Sequence, residues 1–103
     1  MEIIETPIFT QIIPTVIPDE SYRKLQNILI ESPSIGDIIP GSGGIRKLRW
    51  PVPGRGKQGG MRVIYYWYKA EDQILMIYAY LKNKQENLTP KQLKALKVII
   101  EED

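Results

Sequence analysis

The chain holds neither histidine nor cysteine, which removes thiolate nucleophiles, disulfides, zinc fingers and imidazole proton transfer from consideration. Any acid or base must come from Lys, Arg, Tyr or a carboxylate. The residues best suited to chemistry are cations. Arg46, Lys47 and Arg49 crowd one short segment, and Arg62 opens the next apolar run. Fixed Arg and Lys side chains act most strongly where negative charge develops on a phosphorus centre, so phosphoryl transfer is the chemistry this set suits. The plain alternative is that cations on an exposed sheet guard its edges and keep it soluble.

The formal net charge of +2 hides an uneven distribution. Residues 1–40 carry two basic and six acidic groups, residues 41–70 carry seven basic and none acidic, and residues 71–103 carry five and six. A basic middle third without a single carboxylate is the electrostatic footprint of a nucleic-acid binder, because phosphate contacts supply most sequence-independent affinity. The competing reading is a solvated face.

The elements that must position these cations can be read from periodicity. Met1 to Ile13 is rich in Ile and Thr and reads as an opening strand, interrupted or ended by Pro7 or Pro14. Pro18, Asp19 and Glu20 mark a helix start, Tyr22, Leu25, Ile28 and Leu29 follow at helical spacing, and Pro33 stops the helix near Ser32. Pro40, Gly41, Gly43 and Gly44 form a turn before a strand over Ile45 to Trp50, with Leu48 and Trp50 on one parity and Lys47 and Arg49 on the other. Met61 to Tyr68 and Gln73 to Leu81 are β-branched and aromatic, and the short break at Lys69 to Asp72 makes them an antiparallel hairpin. Thr89 and Pro90 cap a closing helix whose apolar face is Leu93, Leu96, Ile99 and Ile100. The order strand, helix, three strands, helix predicts one α+β domain over residues 1–103, a small antiparallel sheet with its helices segregated.

Two motifs invite functional readings. The loop Gly54 to Gly60, with Arg55 and Lys57, resembles a phosphate loop, but Met61 and a strand follow it where a Walker loop needs Lys, then Ser or Thr, then a helix. What remains is a basic loop able to touch a nucleic-acid backbone, or an inert hairpin tip. In the strand Tyr65-Tyr66-Trp67-Tyr68, Tyr65 and Trp67 are assigned to the core. Tyr66 and Tyr68 share the parity of Arg62 and are candidates to stack on exposed bases, against the plainer reading that they too are packed. With Arg46, Arg55 and Lys57 they form the candidate RNA-binding set.

Taken together, several pieces resemble one known family. They are Glu5-Thr6-Pro7-Ile8-Phe9-Thr10, Tyr22-Arg23-Lys24-Leu25-Gln26, the run Gly41 to Trp50, the run Gly54 to Tyr65, and Leu88-Thr89-Pro90 with Gln92-Leu93 and Ala95-Leu96. They resemble HigB-type toxins of the RelE/ParE superfamily nearly end to end, and the glycine loop with the strand after it is the specific part. The resemblance implies a microbial-RNase-like fold and metal-independent cleavage of messenger RNA in the ribosomal A site, without a cofactor. The implied step is attack of a ribose 2′-hydroxyl on the adjacent phosphate, with basic residues replacing the His and Glu of ordinary ribonucleases. It implies Lys47 and Arg49 as the paired basic positions of the family's second strand and Arg62 as the arginine contacting the scissile phosphate. Lys82 and Lys84 occupy the region of a further catalytic cation. Lys47 is the candidate general base, a role that requires it to lose its proton. Relatives of the RelE branch place a tyrosine just after the last strand. None lies between Asn83 and Leu88 here, and Tyr80 is the nearest phenol.

As partner the resemblance implies an antitoxin, HigA-like with a helix-turn-helix domain, contacting the terminal helix and mediating any contact with operator DNA. The longest apolar run, Ile74 to Leu81, is far below the ~18 residues of a membrane span, and no basic flank followed by an apolar stretch marks the N-terminus. A cytoplasmic protein without membrane contact is expected. Two competing functions stand beside the nuclease: a ParE-like inhibitor of DNA gyrase without chemistry, and a non-catalytic nucleic-acid-binding module.

Overall fold

The computed structural model describes residues 1–54 and 60–101. The elements are β1 (Glu2–Glu5), α1 (Pro7–Val16), α2 (Asp19–Glu31), β2 (Asp37–Ile38), β3 (Arg46–Trp50), β4 (Met61–Tyr68), β5 (Gln73–Leu81) and α3 (Pro90–Glu101). The strands form one sheet in the order β1-β5-β4-β3-β2. The β4–β5 hairpin at its centre matches the segments read from β-propensity, and α2, β3 and α3 lie where periodicity placed them.

The N-terminal segment differs from its expected strand. Only Glu2–Glu5 is extended, and Pro7–Val16 is a helix. Thr6 caps it by accepting from the Phe9 amide at 3.1 Å, and Pro7 takes the first turn, where a missing N–H is harmless. Phe9, Ile13 and Ile17 then recur at four-residue spacing and are buried, so packing overrides the β-propensity of Ile and Thr. The sheet is correspondingly mixed rather than wholly antiparallel: β1 runs parallel to β5, with Glu2 opposite Gln73 and Glu5 opposite Met76. The α+β class stands.

The helices are not segregated to one side. One face of the sheet packs Val63, Tyr65, Met76 and Ala79 against Phe9, Ile13, Ile17, Leu25 and Leu29 of the α1–α2 layer. The other packs Ile45, Ile64, Leu75, Ile77 and Tyr80 against Leu96 of α3, with Leu93, Ile99 and Ile100 beside it. Removing both faces of a five-stranded sheet from water supplies the hydrophobic drive a chain of 103 residues needs.

One irregularity decides which side chains reach which face. Ile64 lies opposite Tyr78 while Tyr65 lies opposite Met76, so Ile77 is an extra residue, a β-bulge. Leu75 and Ile77 face α3, and after the bulge Tyr78 and Tyr80 face it too, while Ala79 and Leu81 turn to the α1–α2 side. Thr6 holds the bulge from the neighbouring strand. Its hydroxyl donates to the Ile77 carbonyl at 2.7 Å and its amide donates to the Met76 carbonyl at 3.0 Å.

Three tests follow from this packing. Thr6→Ala removes a helix cap and a buried hydrogen bond together and is expected to cost about 2 kcal/mol in urea unfolding. Gly60 has φ +61°, and a Cβ there would stand 2.4 Å from the Trp50 carbonyl oxygen, so Gly60→Ala should cost at least about 2 kcal/mol by the same measurement. The phenols of Tyr22, Tyr65 and Tyr80 all have raised pKa values, first because burial disfavours the phenolate. The fold keeps protons that the unfolded chain releases near its ordinary pKa of 10.0. Stability is therefore full below that pH and falls above it. Urea midpoints should drop between about pH 9 and 11, and an unchanged midpoint would contradict this.

Candidate functional site

β3 and β4 pair antiparallel with Lys47 opposite Ile64 and Arg49 opposite Arg62. Residues opposite one another share a face, so Lys47, Arg49 and Arg62 all project to the α3 side. Lys82 follows β5 at a position whose parity the bulge has set to the same side, and its amide donates to the Gly60 carbonyl at 3.0 Å. These four cations line an open pocket of about 460 Å³ together with Ile35, Asp37, Leu48, Glu86 and Asn87. Arg62 is the deepest, 5% exposed, with Nη1 donating to the carbonyl of Met61 at 3.3 Å. Arg49 is exposed and Lys47 and Lys82 are half-buried.

Two loops complete the walls. The first, residues 32–36, is fixed from the opposite side of the sheet. Tyr65, fully buried, donates its hydroxyl proton to the Pro33 carbonyl at 2.8 Å and accepts from the Gly36 amide at 2.8 Å. Arg46 Nη1 donates to the carbonyls of Gly36 at 2.7 Å and Ser34 at 3.1 Å. A Cβ on Gly36 would meet the Tyr65 ring at 2.8 Å, so the glycine permits this close approach. The second loop runs from Lys82 to Thr89. The Lys84 and Gln85 amides donate to the Leu81 carbonyl, closing a turn. Gln85 Nε2 donates to the Asn87 carbonyl at 2.9 Å and to Gln92 Oε1 at 2.6 Å. Gln92 and Thr89 form a reciprocal cap at the start of α3. Across the pocket, Lys47 Nζ donates to Asn87 Oδ1 at 3.4 Å.

The structure thus brings together Lys47, Arg49, Arg62 and Lys82. It does not bring in Lys84, which is exposed and outside the pocket lining. Arg46, a member of the expected RNA-binding set, projects to the other face of the sheet from Lys47 and Arg49. Its parity is that of Tyr65, and its guanidinium is spent on the 32–36 loop. Tyr66 and Tyr68 do share the parity of Arg62, but α3 covers that face. The two rings pack edge-on at 4.7 Å, half-buried beside the second core cluster. Arg55 and Lys57 lie outside the described residues. Tyr80, opposite Arg62, is 6% exposed and does not line the pocket. Its hydroxyl has no hydrogen-bond partner among the described residues, and burial raises its pKa while the charge of Arg62 opposes that rise.

Sequence reasoning missed Asp37, Glu86 and Asn87. The available signal was the position of Glu86 and Asn87 in the only connection between the last strand and the capped helix, a segment that had to cross the mouth of the site. Among the described residues no group of three or more His, Cys, Asp or Glu is arranged to hold a metal ion, and no helix is long and apolar enough to cross a membrane.

The family model of the RelE toxin of the RelE/RelB toxin–antitoxin system matches residues 36–102. That span contains every residue that lines the pocket except Ile35. The match covers well over half of the 103 residues, and the chain therefore belongs to the RelE toxin family, as the toxin of a toxin–antitoxin pair with a cognate antitoxin as its partner.

Proposed function

We propose that this toxin is a metal-independent, ribosome-dependent endoribonuclease of the HigB type that cuts messenger RNA in the ribosomal A site. The observation that carries the reading is the convergence of Lys47, Arg49, Arg62 and Lys82 in one pocket. Four cations lining one pocket outnumber its two carboxylates, and the phosphodiester of an RNA chain is an anion that would offset the remaining repulsion. Arg62, anchored at the floor, would hold a non-bridging oxygen of the scissile phosphate. Arg49 beside it would share the charge that builds as the phosphorus becomes five-coordinate. Lys47 and Lys82 complete the cationic wall, and the ribosome would supply a message whose sugar and phosphate are bent toward in-line attack. The product pair would be a 2′,3′-cyclic phosphate and a 5′-hydroxyl.

The partner antitoxin would be HigA-like, with operator DNA reached only through it, and the site of action would be the cytoplasm, where translating ribosomes are. The test is a translating cell-free system with a defined message, its new 5′ ends mapped by primer extension. Cuts within codons that require ribosomes are expected, and Arg62→Ala should slow them by about 10² to 10³-fold, the usual effect of removing one preorganised charge donor. An intact message with wild-type protein would overturn the reading and favour gyrase, measured by supercoiling.

A further inference from the structure

We propose that Glu86 is the general base of this site, with Lys82 as the acid. The inference rests on the nuclease reading above and supplies the proton acceptor that the cations cannot readily provide. A lysine becomes a base only after losing its proton, whereas a carboxylate accepts one directly. The pocket holds two carboxylates, Asp37 and Glu86.

Asp37 stands on the edge strand β2, opposite Lys47 and two strands away from Arg62. Glu86 is placed differently. Its loop leaves β5 at Lys82 and reaches Lys47 of β3 through Asn87. It therefore spans about two strand spacings, roughly 10 Å, and must pass over β4, where Arg62 sits. The residues on either side of Glu86 are fastened by the Gln85 side chain, which holds the Asn87 carbonyl and is itself held by Gln92 of α3. Glu86 is thus carried on a braced backbone at the mouth of the cationic pocket, with its side chain solvent-exposed.

The chemistry balances with these two groups. The Glu86 carboxylate takes the proton of the ribose 2′-hydroxyl as the O2′–P bond forms. The P–O5′ bond breaks, and the departing O5′ takes a proton from the Lys82 ammonium. Glu86 ends protonated and Lys82 neutral, and exchange with solvent restores both. Lys47 is the less suitable acid, because its ammonium is engaged by Asn87 beside Glu86 and so lies on the side of the base, while in-line displacement requires the acid on the far side of phosphorus.

The experiment is single-turnover cleavage of a synthetic message on programmed ribosomes, with a matched message carrying sulfur in place of O5′ at the cut. A thiolate leaves without protonation, so the sulfur message repairs loss of the acid and not loss of the base. Glu86→Gln should slow cleavage at least about 100-fold on both messages with ribosome affinity unchanged, and Glu86→Asp should regain part of the rate. Lys82→Ala should be slow on the oxygen message and recover on the sulfur message. Glu86→Gln within about threefold of wild type, a defect appearing only as weaker ribosome binding, or repair of Glu86→Gln by sulfur would each overturn the assignment while the nuclease reading stands. Failure of the wild-type protein to cut either message would overturn both.

Discussion

The site depends on the extra residue in β5. A strand alternates its side chains with a period of two, so without the bulge at Ile77 the face that carries Leu75 would go on to carry Ala79 and Leu81. Lys82 would then point to the α1–α2 core. With the bulge, Leu81 joins that core and Lys82 arrives on the face of Arg62. The same shift places Tyr80 opposite Arg62 under α3. Thr6 secures it with two hydrogen bonds from the chain entering α1. A helix cap at one end of the sequence and a pocket-lining cation near the other are thereby one structural unit.

The second constraint is electrostatic. Arg62, 5% exposed, with Arg49 directly opposite, is an arrangement that solvation and repulsion both oppose. The strands bearing it are committed by packing on both faces: Val63 and Tyr65 alternate with Arg62 and Ile64 along β4, and each is buried. The hydrophobic core thus fixes the backbone, and the backbone fixes the cations. A site held in this way keeps its cations in place without rearrangement.

The walls are built by side chains that never enter the pocket. Tyr65 and Arg46, on the far face of the sheet, hold the loop that delivers Ile35 and Asp37. Gln85 and Gln92 hold the loop that delivers Glu86 and Asn87. This explains why Arg46, although next to Lys47 in the chain, serves a different purpose. It also ties the mouth of the site to the first turn of α3, so that whatever moves that helix moves the pocket wall.

The sequence alone determined the cationic character of the site and most of the frame. The absence of His and Cys, the carboxylate-free basic third, the parity that sends Lys47 and Arg49 to one face, and the strands and helices from Asp19 onward, save the two-residue strand β2, are local properties, visible in residue type and spacing. The helix at Pro7–Val16 was hidden because Ile and Thr favour strands and only burial of Phe9 and Ile13 selects the helix. The parallel pairing of β1 and the placement of helices on both faces of the sheet are long-range choices that no window of residues encodes. The bulge at Ile77, the cover of α3 over Tyr66 and Tyr68, and the arc that carries Glu86 to the cations belong to the tertiary structure for the same reason. Each is fixed by contact between segments distant in the chain, and the energy of such contacts exceeds what local propensity can decide.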